Sequence, residues 1–372
     1  MLLPSLLALS MIAVATYAAP QKRATVVECL TSAEVPQALP GTSNFTQGIR
    51  PFNLRIPFTP VALAIPSNVA QIQAAVKCGS TQGVMVSARS GGHSYANHGN
   101  GGEDGHLVID LKYFNTVSVD NATNIATIGP GARLGNVALA LFKQGQRAFS
   151  HGTCPGVGIG GHVLGGGYGY SSRTHGLALD ALVEATVVLA NGTLATASTT
   201  KNADLFWALR GAGASYGVVT SMKFQTFAAP AASIVFTYSY SFNQSTARVA
   251  FEALQEYANS LQSQQMNIRF FIRSFTTQLT GVYYGSRTDF DSEIQPLLSV
   301  LPKPTDTSIQ TMDWLAALKS NAFAALETDL NYNSVSFYSI VCLSVANSKL
   351  SMKHSYVIME ENVQLYATNL RI

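Results

Sequence analysis

The chain has little charge. Only 12% of its 372 residues are Asp, Glu, Lys or Arg, and the formal net charge is +3. No block of like charge occurs, so the sequence offers no electrostatic footprint for nucleic acid or for an anionic membrane surface. Past residue 19 there is no apolar run long enough to span a bilayer. No internal repeat or low-complexity segment is visible, so the chain is not organised as a repeat array. Cysteine is sparse as well, with Cys29, Cys78, Cys154 and Cys342 alone. What is abundant is hydrophobic residues, at 47%, ample for burial. The length exceeds one typical core, so two domains are expected.

Residues 2–19 are apolar and end in small residues, which reads as a secretory signal peptide over 1–19, cleaved near Ala18 or Ala19. Its basic n-region is missing, and Lys22-Arg23 is a candidate dibasic processing site. Four sequons follow, at Asn44, Asn121, Asn191 and Asn243. Together these features predict a secreted, extracellular glycoprotein. Secretion permits disulfides. Cys29 and Cys78 flank the first apolar segments and make the best pair, which leaves Cys154 unpaired for a chemical reason and Cys342 as an odd thiol.

Apolar periodicity predicts a helix over 68–78 capped by Ser67-Asn68, a strand from Val84 to the Arg89 turn, and another over Leu107–Leu111. Alternation runs from Asn115 to Ile128, followed by a helix over Leu134–Gln144. A buried strand over Leu182–Ala190 meets the turn signal Asn191-Gly192, residues 203–210 read as a short helix, and Val218–Phe227 as a strand. After Ala228-Ala229-Pro230 glycine thins and aromatics rise, which puts a domain boundary near 228. Strands over 233–242 and 266–284 then surround a helix near 246–261. The fold class is α+β.

Two reactive side chains sit among glycines. His93 lies in Arg89-Ser90-Gly91-Gly92-His93-Ser94-Tyr95, and Cys154 opens a segment with eight glycines in the 16 residues Cys154–Gly169. Glycine costs about 0.5–1 kcal/mol relative to alanine in regular structure, so this density has no packing purpose. Successive amides in such a loop form nests for diphosphate oxygens. The competing reading is a flexible surface loop, but Val157, Ile159, Val163 and Leu164 would anchor the segment. Gly156-x-Gly158-x-x-Gly161, with Asp180 downstream, also matches a dinucleotide fingerprint. It lacks the preceding buried strand, and Gly165–Gly167 would break the following helix.

A lone histidine is more often a turn residue, and a lone cysteine in a secreted protein is more often a disulfide. Taken together, a nucleophilic ring nitrogen and a nucleophilic sulfur are the two groups that tether a flavin covalently. Arg89 is placed to pair with an anionic phosphate or a reduced flavin. His151 and His162 flank Cys154 but lack a metal-binding pattern, so no metal is expected. Tyr95 by spacing alone reads as ordinary aromatic packing.

These residues carry a resemblance. Residues 89–95, Gly152-Thr153-Cys154-Pro155-Gly156-Val157-Gly158-Ile159-Gly160-Gly161-His162, Gly165–Gly169 and Asp204–Gly213 resemble the berberine-bridge-enzyme-like FAD oxidases of the vanillyl-alcohol-oxidase superfamily, nearest to the secreted fungal oligosaccharide oxidases. The match runs over roughly 55–230. The resemblance implies a PCMH-type FAD-binding domain over 24–228 and an α/β substrate domain on an antiparallel sheet over 229–340. It implies bicovalent FAD, with His93 on the 8α carbon and Cys154 on C6. Arg89, Ser90, Gly91, Gly92, Ser94, Gly156, Gly158, Gly160, Gly161, His162, Gly217 and Val219 would surround the cofactor. Tyr95 and Arg269 would contact a sugar; where the family carries an acid two residues past that arginine, this chain has Phe271.

The implied activity is oxidation of the C1 hydroxyl of a reducing-end oligosaccharide to a lactone, with O2 reduced to H2O2, by a monomer that engages neither nucleic acid nor membrane. The alternatives on this scaffold are oxidation of a secondary-metabolite alcohol or alkaloid-like substrate, and an inactive truncated chain. Family chains run on past this one and there supply a tyrosine base; Tyr332 and Tyr338 match it by type and not by position. The similarity stops after Ile340, leaving 341–372 as a non-family tail and the substrate domain incomplete. Val341-Cys342 and Ala346-Asn347 are encodable as splice-donor-like and branch-point-like sequences, which reads the tail as translated intron or a shifted frame.

Overall fold

The computed structural model describes residues 25–272, 276–322 and 324–329, together with the backbone of two strands, Val341–Ser344 and Tyr356–Met359. The predicted leader, Lys22-Arg23, Tyr332 and Tyr338 lie outside the described residues.

Three sheets carry the fold. The first is small and mixed, in the order Gln37–Ala38, Ala62–Ala64, Leu107–Asp110, Val86–Arg89, with the last three strands parallel. The helix Val69–Gln82 covers it with Ile72, Ala75 and Val76. Asn68 caps that helix by accepting from Gln71 N at 3.0 Å, and Gly83 ends it at φ 69°, the left-handed conformation that glycine tolerates. A disulfide joins Cys29 to Cys78 and ties the helix Val26–Ser32 onto Val69–Gln82. It closes a long loop of the unfolded chain, which is where a cross-link stabilises most.

The second sheet is antiparallel, in the order Val117–Asp120, Ile125–Ile128, Val218–Gln225, Leu182–Val188, Leu194–Ser198. The alternating stretch 115–128 thus forms two short strands around a turn, with Asn124 at φ 58°. Strand residues Ile128, Val187, Met222 and Phe224 form a core with Leu134, Val137 and Leu141 of the helix Leu134–Lys143 and with Phe206 and Leu209 of the helix Ala203–Ala212.

The third sheet begins just past residue 228, in the order Asp306–Met312, Ser233–Tyr240, Thr277–Tyr283, Met266–Ile272, then the two tail strands. Tyr356–Met359 runs parallel to Met266–Ile272, so part of the tail read as foreign to the family continues this sheet. Helices Gln244–Ser260 and Arg287–Leu298 cover one face, burying Phe236, Tyr238, Ile268 and Phe270 against Leu254 and Phe290. Because side chains alternate along a strand, Asn267, Arg269 and Phe271 point to the opposite face. That face meets the second sheet's layer: Asn267 Nδ2 donates to Tyr168 OH at 2.6 Å, and Arg173 Nη2 donates to Ser263 O at 3.1 Å. Similarly, Asn136 Nδ2 donates to Thr328 O at 2.6 Å.

Candidate functional site

The two glycine loops predicted to bear His93 and Cys154 pack directly on one another. A Cβ built on Gly91 would lie 2.1 Å from Gly158 N, and one on Gly158 would lie 2.0 Å from Gly91 N. Only glycine lets the backbones approach so closely. Arg133 is buried beside this crossing and joins both loops: its Nη1 donates to Gly91 O at 2.6 Å and to Gly156 O at 2.7 Å. Around it, Ile159 N donates to Ala132 O and Leu134 N to Val157 O, each at 2.9 Å. Ser90 Oγ donates to Pro130 O, and Gly160 N donates to Pro130 O at 3.1 Å. Three chain segments, 89–93, 130–134 and 156–160, are thereby locked into one unit.

Arg89 supports this unit from beneath. It is buried, and its guanidinium donates to Asn100 Oδ1 and to Arg50 O. Gly92, at φ 69°, passes over it with no room for a Cβ. The charge expected to meet a phosphate is therefore engaged with protein acceptors below the loop.

The His93 ring stacks on Phe52, with centroids 4.7 Å apart. Burial lowers its pKa to about 4, aided by the positive charges of Arg133 and Arg89. The imidazole is then neutral near pH 7, with a nitrogen lone pair available as a nucleophile. Ser94 accepts from His98 N at 3.2 Å and holds the turn after the histidine. Tyr95 extends the aromatic step, 5.4 Å from Phe52, and is largely exposed.

Cys154 is an exposed free thiol. Its neighbours shield it on one side, which pushes the thiol up, while the positive charge of Arg269 pulls it down. Arg269 thus reaches the Cys154 loop from the third sheet. Its Nε donates to Thr280 Oγ1 at 3.0 Å, across the strand pair.

Several glycines after Cys154 have distinct local reasons. The short helix Ile159–Leu164 ends at Gly165, and Gly166 and Gly167 follow at φ 119° and 80°. Gly169 crosses His151 O so closely that a Cβ would sit 1.8 Å from it. Gly161 differs: it is exposed, its φ is not positive, and no atom lies within 4 Å of its Cβ position. His162 Nε2 accepts from Gly152 N at 3.0 Å, and burial first, then His151, lowers its pKa to about 4. His151 Nε2 and Tyr170 OH are buried without a partner among the described residues.

Gly217, at φ 145°, lets the chain pass against Val188 O. The Val219 side chain belongs to the second sheet's core, so any contact it makes outside is through its backbone. Asp180, the distal part of the dinucleotide fingerprint, accepts from Leu177 N at 2.8 Å in a tight turn. The strand before Cys154 is the two-residue antiparallel Arg147–Ala148, so the parallel-strand context of that fingerprint does not occur there.

Sequence reasoning missed Arg133, Phe52, Asn100 and Tyr170. The only signal for Arg133 is a basic residue directly after Gly129-Pro130-Gly131-Ala132 and before an apolar helix. Phe52, in a segment with no periodicity, carried none.

Residues 60–198 match the model of the FAD binding domain. The xylooligosaccharide oxidase of Thermothelomyces thermophilus is 47% identical over 323 residues, 86% of this chain. The chain spans 65% of that relative's length. A solved structure of the xylooligosaccharide oxidase of Myceliophthora thermophila C1 in complex with xylobiose superposes with a TM-score of 0.80 at 45% identity, covering 86% of this chain and 68% of that one. A structure of the Acremonium strictum glucooligosaccharide oxidase, concerned with its 6-S-cysteinyl, 8α-N1-histidyl FAD, gives 0.80 at 38% identity, covering 86% and 67%. BBE-like 1 of Physcomitrella patens gives 0.79 at 35%, covering 86% and 70%. The chain belongs to the berberine-bridge-enzyme-like family of FAD-linked oxidases, with its PCMH-type FAD-binding fold, and within that family it is similar to the fungal oligosaccharide oxidases.

The loop crossing predicts a local sensitivity. Gly158→Ala forces backbone from backbone and should destabilise the protein by about 1–3 kcal/mol, and Arg133→Met should cost about 1–3 kcal/mol by orphaning two carbonyls. Denaturant midpoints measure both, and unchanged midpoints would contradict the described contact. A second expectation concerns acid. With folded-state pKa values near 4 against an ordinary 6.5, His93 and His162 bind fewer protons folded than unfolded. Stability is then full above about pH 6.5 and falls as pH drops toward about 4. His162→Gln, which keeps an acceptor for Gly152 N without titrating, should show a shallower decline in urea midpoint; an identical decline would remove His162 from the account.

Proposed function

We propose that this chain is a secreted FAD-dependent oxidase that converts the C1 hydroxyl of a reducing-end oligosaccharide to a lactone, with O2 reduced to H2O2. The observation that carries this reading is the Gly91–Gly158 crossing beside Arg133, which packs the loop that bears His93 against the loop that follows Cys154. The substrate side is supported by the relatives: one is a xylooligosaccharide oxidase, and a solved xylooligosaccharide oxidase holds xylobiose.

The residues present fit bicovalent FAD. A neutral imidazole and a free, partly shielded thiol are the two nucleophiles such a tether needs. Gly161 keeps a space open that neither its conformation nor its packing requires, and His151 Nε2 and Tyr170 OH are orphaned polar atoms beside the same loop. His93 and Cys154 would hold the ring, and the amides of 156–161 would line it. Bound FAD supplies the two-electron acceptor, returned to its oxidised form by O2. Tyr95 offers an exposed aromatic ring for a sugar, and Arg269 offers donors from the opposite layer. The exposed Asn44, Asn121, Asn191 and Asn243 suit glycosylation of an extracellular protein. The boundary of the FAD domain near 228 and a monomeric state complete the proposal.

Expression of the full chain with FAD tests it. Fluorescence should persist on the denatured protein band, survive in His93→Ala or Cys154→Ala alone, and vanish in the double variant. Xylo- and chito-oligosaccharides should yield peroxide. A folded protein with a colourless band and no peroxide would overturn the reading.

A further inference from the structure

Arg269 carries a charge that no carboxylate meets among the described residues. Its guanidinium carbon lies 5.3 Å from the Tyr170 ring centre and 5.6 Å from that of Phe271, so it is flanked by two aromatic faces. Its Nε is fixed on Thr280 Oγ1. The fork of the guanidinium is therefore oriented, flanked by rings and unneutralised among the described residues, and its charge acts on the exposed Cys154. Tyr170 itself is buried with an orphaned hydroxyl, which leaves its ring face as its contribution here.

Such a fork recognises a carboxylate far better than a sugar hydroxyl. Two parallel N–H donors match two carboxylate oxygens, and the pairing of charges compensates the lost hydration. A hydroxyl meets one donor and leaves the charge unbalanced. We propose that Arg269, held between Tyr170 and Phe271, selects oligosaccharides bearing a carboxylate, such as a uronic-acid branch, over their neutral counterparts. This specificity rests on the oligosaccharide reading above and names the substrate class of the same site. Phe271 contributes by what it is not: an acid at that position, on the same strand face two residues on, would neutralise Arg269 internally.

The test compares xylotriose with xylotriose bearing one glucuronic-acid branch, both with a free reducing end, on the full FAD-loaded chain. Titration calorimetry gives affinities, and peroxide release gives kcat/KM. The branched sugar should bind on the order of tenfold more tightly, about the gain of a charge-assisted pair over a neutral one. The ratio should shrink with added salt, as a partly exposed ion pair does. It should fall toward one in Arg269→Gln, which keeps donors without charge, and in Phe271→Glu, which supplies an internal counter-charge. Equal affinities in the parent protein, or a preference that persists in both folded variants, overturns the proposal. Peroxide from both sugars without an acid preference sinks the specificity and leaves the oxidase reading standing. An acid preference in binding with no peroxide from either sugar sustains the specificity and sinks the oxidase reading.

Discussion

The buried guanidinium of Arg133, bonded at once to Gly91 O and Gly156 O, is the contact on which the site depends. A buried cation is costly unless its donors are met, and here two carbonyls from distant loops meet one nitrogen. The same charge helps keep His93 neutral. One residue thus fixes where the two loops cross and the protonation state of the imidazole that one of them carries. The glycines are the complement of this contact. Gly91 and Gly158 allow the backbones to touch, and any side chain at either would separate the loops that Arg133 holds together.

The third sheet meets the FAD-binding layer through strand alternation. Met266–Ile272 turns Ile268 and Phe270 into its own core and leaves Asn267, Arg269 and Phe271 on the face toward the FAD-binding layer. Asn267 on Tyr168 and Arg173 on the 262–263 carbonyls hold that face in place. Residues on one strand thereby reach the Cys154 loop without belonging to it.

The elements with strong local signals were legible in the sequence. The helix capped by Asn68, the Leu182–Val188 strand with its Asn191-Gly192 turn, and the Cys29–Cys78 pair all announce themselves by periodicity, turn chemistry or the sparseness of cysteine. His93 and Cys154 draw attention in the sequence because glycine around a nucleophile is chemically unusual, and the structure packs their loops on one another. What stayed hidden depends on long-range geometry. Arg133 is distant from both carbonyls it binds, and Phe52 reaches His93 from a segment without pattern. Arg89, whose motif suggests a ligand contact, is buried and donates to Asn100 and Arg50. A motif identifies a residue's neighbourhood and does not say on which side of the loop the side chain lies.

The central claim is that one platform presents both nucleophiles to one flavin. Peptide mapping by mass spectrometry of the unreduced, proteolysed FAD-loaded protein tests it most directly. The account predicts a single species in which the His93 peptide and the Cys154 peptide are joined through one flavin. Flavin found on only one of the two peptides, or on neither, in a folded and FAD-loaded protein would contradict it.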